Sequence, residues 1–128
     1  MIEKAKVAVV KDRKLLIVYN GENYSLPGGR VAVRYGESGS HAARRETVEE
    51  THGRVSGLRL YCDLTYSNGS EEDVHTRVYR GRISGRLTPS REIEELEWAR
   101  RDEIGKKYKP VSTSLKKIKI RLIRGRLI

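Results

Sequence analysis

Leu26-Pro27-Gly28-Gly29, then Glu37, then Arg45-Glu46-Thr47-Val48-Glu49-Glu50 is the stretch on which the reading of this chain turns. A glycine pair after proline makes a tight turn whose backbone can approach a ligand closely. Ser38 or Ser40 can cap a helix that runs to about His52, with Gly53 as its stop. On that helix Glu46, Glu49 and Glu50 fall at i, i+3 and i+4 and share one face. Like charges so placed oppose the helix by roughly a few tenths of a kcal/mol per pair, which asks for a compensating partner. A hard divalent cation such as magnesium is one, because it takes carboxylate and phosphate oxygens together. The plainer reading, a solvated acidic face, leaves the upstream Pro-Gly-Gly, Glu37 and Arg45 unexplained.

This arrangement resembles the Nudix box, G-x5-E-x7-R-E-U-x-E-E-x-G-U, in which U is a bulky aliphatic residue. From Glu37 to Glu50 the spacing agrees. Three departures stand out. Seven residues, Arg30 to Gly36, separate Gly29 from Glu37, two more than the pattern has. Thr47 takes an aliphatic position, and His52 stands where the closing glycine belongs, with Gly53 next. The first reads as a longer turn and the last as a helix extended by one residue. Neither moves the carboxylates relative to one another.

The resemblance implies an α+β fold, an α/β/α sandwich with a mixed β-sheet between helices, and Mg2+ (or Mn2+)-dependent hydrolysis of a pyrophosphate bond. The substrate class it implies is a nucleoside diphosphate linked to another moiety. It assigns Glu46, Glu49 and Glu50 as metal ligands, joined by the backbone carbonyl of Gly28. Glu46 is the first choice of general base, with Arg45 and Glu37 ordering the catalytic loop and helix. Arg30, Gly29 and Tyr35 are placed for substrate. Glu71, Glu72, Asp73 and Glu92 are further candidate bases from loops, and His75 titrates in a suitable range. The alternative, drawn from the irregular box and a basic tail, is a non-catalytic Nudix-like module that binds nucleotides or RNA.

Elsewhere, Lys6–Val10 and Leu15–Tyr19 read as strands of a hairpin about 11–14, and Arg30–Val33 as another short strand. Residues 54–66 hold one or two strands, 67–70 a turn, Val74–Ile83 a strand and Leu96–Ala99 a short one. Cys62 and Trp98 are expected in the core.

At 128 residues the chain is expected to form one domain, 1–128. A single cysteine excludes an internal disulfide and suits a reducing compartment. No apolar run approaches the ~18 residues of a membrane span, and the N-terminus lacks a signal peptide's apolar centre, so a cytoplasmic protein without membrane partners is expected. Many charges beside no Gln and three Asn suggest a thermophile. The net charge of +10 is concentrated: residues 105–128 carry nine basic and no acidic side chains, while 1–104 carry 18 and 17. Val111, Leu115, Ile118 and Leu122 form an apolar stripe on a basic helix at about 111–124. That stripe is expected to dock on the sheet. The sharper alternative is an RNA-binding surface. A homodimer is a further expectation from the family.

Overall fold

A computed structural model describes residues 1–69 and 72–128. Among these residues two four-stranded sheets lie at the centre. In the first, β5 (Gly28–Arg30), β1 (Ile2–Ala8), β7 (Asp73–Ser84) and β6 (Arg54–Ser67) follow in that order. β1 runs parallel to β7, with Ile2 opposite Val74 and Ala8 opposite Arg80, and the other pairings are antiparallel. The sheet is therefore mixed. In the second, β3 (Lys14–Tyr19) pairs with β2 (Val10–Lys11), β4 (Tyr24–Ser25) and β8 (Glu95–Ala99). The first strand of the expected hairpin is thus divided between the sheets. The turn is formed by Asp12 and Arg13, both left-handed (φ 52° and 62°), as the twist of a two-residue hairpin demands.

Among the described residues two α-helices cover the sheets through separate apolar clusters. Ala42 and Ala43 of α1 (Gly39–Thr51) pack with Ala5, Val7, Val9, Leu16 and Tyr79. Leu115, Ile118 and Leu122 of α2 (Thr113–Arg124) pack with Leu15, Ile17, Leu64 and Val78. The tail stripe therefore docks as expected, and Val111 joins it half-buried. Lys119 also turns inward and donates to the Ile104 carbonyl at 2.8 Å. No helix among the described residues is long and apolar enough to cross a membrane.

The buried side of α1 is made of small residues: Gly39, Ala42, Ala43, Thr47 and Thr51. Small side chains let the helix lie close to the sheet; a Cβ on Gly39 would stand 2.4 Å from the Tyr79 hydroxyl. Ser38 is the N-cap, and its Oγ accepts the His41 N–H at 3.2 Å. Four expectations need correction. Arg30–Val33 is not a strand: β5 ends at Arg30, and Val33–Tyr35 form a 3-10 turn closed by left-handed Gly36 (φ 71°), which absorbs the two additional residues. The helix is not extended to a glycine stop, because His52 itself takes the left-handed C-cap (φ 60°). Gly53 is needed for packing instead, since a Cβ there would lie 2.6 Å from Leu87 Cδ2 and 2.7 Å from Ile83 Cδ1. Finally, Cys62 and Trp98 are only half-buried, each at the margin of a cluster.

Thr47 occupies its aliphatic position fully buried, and its hydroxyl has no hydrogen-bond partner among the described residues. An unsatisfied buried hydroxyl costs about 1–3 kcal/mol. Thr47→Val, which keeps the shape, should raise unfolding stability by about 1 kcal/mol in urea titrations; a loss of stability would show that the hydroxyl is satisfied.

Candidate active site

Three segments meet at the site: the 26–30 turn, α1 and the loop before β8. Arg45 joins them. Its Nε and Nη2 donate to Glu37 Oε2 (2.8 Å) and Oε1 (3.0 Å), a two-pronged pair that fixes the guanidinium plane. Its Nη1 donates to Glu46 Oε1 (3.0 Å) and reaches Glu49 Oε1 (3.5 Å), and its Nη2 also meets the Arg30 carbonyl (3.3 Å). Glu37 additionally accepts the Ala32 N–H (2.8 Å) and lies 2.8 Å from His41 Nδ1. The Arg45 pair, the Ala32 N–H and the His41 contact hold its carboxyl well below the usual range. Its side chain is 8% exposed.

The carboxylates of α1 are brought together. Glu46, Glu49 and Glu50 line one cleft of about 530 Å³ with His52, Pro89, Ser90, Arg91 and Glu92. Gly29 makes room for Glu46, since a Cβ would stand 2.7 Å from the Glu46 carboxyl carbon. Glu50 Oε1 accepts the Gly28 N–H at 2.7 Å. Burial raises the Glu50 carboxyl to about 7, against the pull of that N–H and of Lys6; Glu46 and Glu92 add repulsion. The loop that brings Glu92 is tied to the end of α1. Thr88 and Ser90 N–H donate to the carbonyls of Thr51 (2.9 Å) and Glu50 (3.1 Å). His52 Nδ1–H donates to the Thr88 carbonyl at 2.8 Å, which stabilises the left-handed cap.

Beneath the turn lies Lys6, 9% exposed, which sequence reasoning did not single out. Its Nζ donates to the carbonyls of Leu26 (3.2 Å) and Gly28 (3.4 Å), so the carbonyl expected among the metal ligands already has an ammonium against it. Desolvation lowers the Lys6 ammonium to about 8, with Glu50 and Glu46 opposing. Arg91 is another unforeseen residue of the cleft. A lysine set between Ala5 and Val7 in an apolar run was the available signal for Lys6; Arg91 sits in loop sequence without periodicity.

Other candidates do not line this cleft. Arg30 is exposed beyond Gly29, and Tyr35, 88% exposed, borders a separate hollow with Glu37 and His41. His75 sits on β7 between Glu3 (2.6 Å) and Asp63 (2.7 Å), both of which raise its pKa, and does not line the carboxylate cleft. Neither do Glu72 and Asp73; Glu71 lies outside the described residues. A second cleft of about 540 Å³ between β6 and α2 holds Asp63, Lys117, Arg121 and Arg124 but none of the α1 carboxylates. The two are of similar size, so chemistry and not volume distinguishes them.

Among the described residues no His, Cys, Asp and Glu side chains form a ready group of three for a metal. Glu46 and Glu49 lean on Arg45, and Glu50 on Gly28 N–H. The donor set nevertheless fits magnesium or manganese: hard carboxylate oxygens on one wall, with Glu92 as a further one in the cleft.

A family model described as NUDIX domain matches residues 2–122. A MutT NUDIX hydrolase from Burkholderia pseudomallei superposes with TM-score 0.81 at 22% identity, covering 94% of this chain and 95% of its own. A NUDIX hydrolase from Nitrosomonas europaea gives 0.82 at 21%, covering 98% and 90%. An Ap4A hydrolase from C. elegans gives 0.74 at 16%, covering 98% and 99%. No curated protein matches the chain.

The raised Glu50 carboxyl makes stability depend on pH. Its folded-state pKa of about 7 lies above the ordinary 4.5, so the protonated carboxyl favours the fold. That contribution is complete below about pH 4.5 and is lost as pH rises through about 7. Metal-free protein should therefore lose stability across this window relative to Glu50→Gln; a pH-independent difference would contradict the burial argument.

Proposed function

This chain belongs to the NUDIX domain family, as a Nudix-type pyrophosphohydrolase for nucleoside diphosphate derivatives, and from that premise we propose a metal-dependent mechanism at the α1 cleft. Water attacks phosphorus of the pyrophosphate linkage, giving a nucleotide and a phosphorylated remainder. The observation that supports this most is the placing of Glu46, Glu49 and Glu50 on one wall of one cleft, with Gly29 leaving room for the first. Those three side chains would hold the metal. When bound, Mg2+ or Mn2+ neutralises phosphate oxygens and makes a better nucleophile of water.

The chain's own residues supply the rest. Glu46 is the base we favour, because its carboxylate lies against the glycine turn at which a phosphate can approach. Glu92, across the same cleft, is the second candidate. Arg45 is a positioning residue: anchored by Glu37, it orders Glu46 and Glu49 and limits their mutual repulsion. Arg91 in the cleft and Arg30 beyond Gly29 are set to meet substrate phosphates. Tyr35 offers an exposed ring for a base. Dinucleoside polyphosphates and ADP-ribose belong in the first substrate panel, the former because one structural relative is an Ap4A hydrolase. RNA binding and pairing of two copies form no part of the proposal.

Glu50→Gln should reduce metal-dependent turnover on the order of 10²–10³-fold, the scale met when one electrostatic stabiliser of a transition state is removed. Circular dichroism should show an intact fold. Turnover equal to wild type would refute the assigned roles.

A further inference from the structure

Lys6 is a charged side chain set in the apolar run of β1, between Ala5 and Val7, both fully buried. An ammonium withdrawn from water this far is costly unless it is paired. Its hydrogen bonds go to two carbonyls, of Leu26 and Gly28, on either side of Pro27. Gly28 then links two charges, because its carbonyl accepts from Lys6 and its N–H donates to Glu50 Oε1. Close approach of the turn to β1 enforces this. Gly28 adopts φ +137°, and a Cβ there would lie 2.2 Å from the Ala5 carbonyl oxygen and 2.9 Å from Lys6 Cδ. The lysine stem therefore fills the space under the turn, and its ammonium and Glu50 hold the two polar groups of the same residue, Gly28.

We propose that Lys6 is a built-in cation of the carboxylate site, fixed on the Leu26 and Gly28 carbonyls, where it supplies part of the positive charge that Glu46 and Glu50 require. This rests on the metal-dependent reading of the same cleft. The ammonium takes up a hard carbonyl oxygen that a divalent ion would otherwise use, and its charge opposes that ion. The site accordingly binds divalent metal more weakly than its carboxylates alone would. The simpler role, a strap that satisfies two carbonyls, needs the N–H donors but not the charge.

Lys6→Gln separates the two, since it keeps a donor and removes the charge; Lys6→Met removes both. Mn2+ binding to the full chain, read by electron paramagnetic resonance without substrate, should tighten on the order of tenfold in both variants, as loss of a nearby like charge requires. Unchanged or weaker binding in folded Lys6→Gln overturns the proposal and leaves the strap. Should neither variant fold, the wild type decides by NMR. The hydrogen-bond coupling from Lys6 Nζ to the Gly28 carbonyl should persist at saturating Mg2+, and its loss overturns the proposal. Wild-type protein that binds no Mn2+ at all defeats the metal-dependent reading first, and this inference with it.

Discussion

The Arg45–Glu37 pair is the constraint on which the site depends. Three anions on one helical face oppose one another, and a helix of small residues pressed to a sheet has little freedom to spread them. Arg45 answers from within the same helix. Its guanidinium is anchored by two bonds to Glu37 and so presents Nη1 toward Glu46 and Glu49 in a fixed direction. Because Glu37 also accepts the Ala32 N–H, and Arg45 Nη2 donates to the Arg30 carbonyl, the turn after Gly29 is fastened to α1. One ion pair thus fixes loop, helix and carboxylates together. Glu37 belongs to this framework more than to the chemistry.

The turn itself depends on absent atoms. Gly29 leaves room for the Glu46 carboxylate, and Gly28 lets the chain press on β1 while adopting a backbone angle that L side chains rarely take. Sheet and helix are thereby brought to the distance at which Glu50 can reach a backbone N–H and Lys6 two carbonyls. The cost is a pair of buried ionisable groups pushed toward neutrality in opposite directions. A site that holds such groups in tension is one whose charge state responds to an added cation or an added phosphate.

Much of this was legible in the chain, and the reason is local geometry. Helical spacing alone places Glu46, Glu49 and Glu50 on one face, and the i to i+4 step lets Arg45 reach Glu49. The apolar stripe of the tail announced that α2 would dock, whatever its net charge. What escaped depends on long-range contact. Gly53 seemed a helix stop because glycine commonly ends helices; only the approach of Ile83 and Leu87 reveals it as a packing requirement. His52 could assume the stop itself because Thr88, from a distant loop, satisfies its ring. Lys6 opens the strand read over Lys6–Val10, and only the Leu26 and Gly28 carbonyls, distant in sequence, give its ammonium a place. The two additional residues before Glu37 became a 3-10 turn, with Arg34 and Tyr35 held outside the carboxylate cleft.

The proposed chemistry is a carboxylate-held divalent ion directing water at phosphorus in this cleft. Turnover of a panel of nucleoside diphosphate derivatives in 18O-labelled water, with and without a chelator, tests it most directly. One 18O atom should enter a phosphate group of the products for each bond cut, and chelation should stop the reaction. Label found on carbon, or turnover that continues without divalent metal, would contradict it.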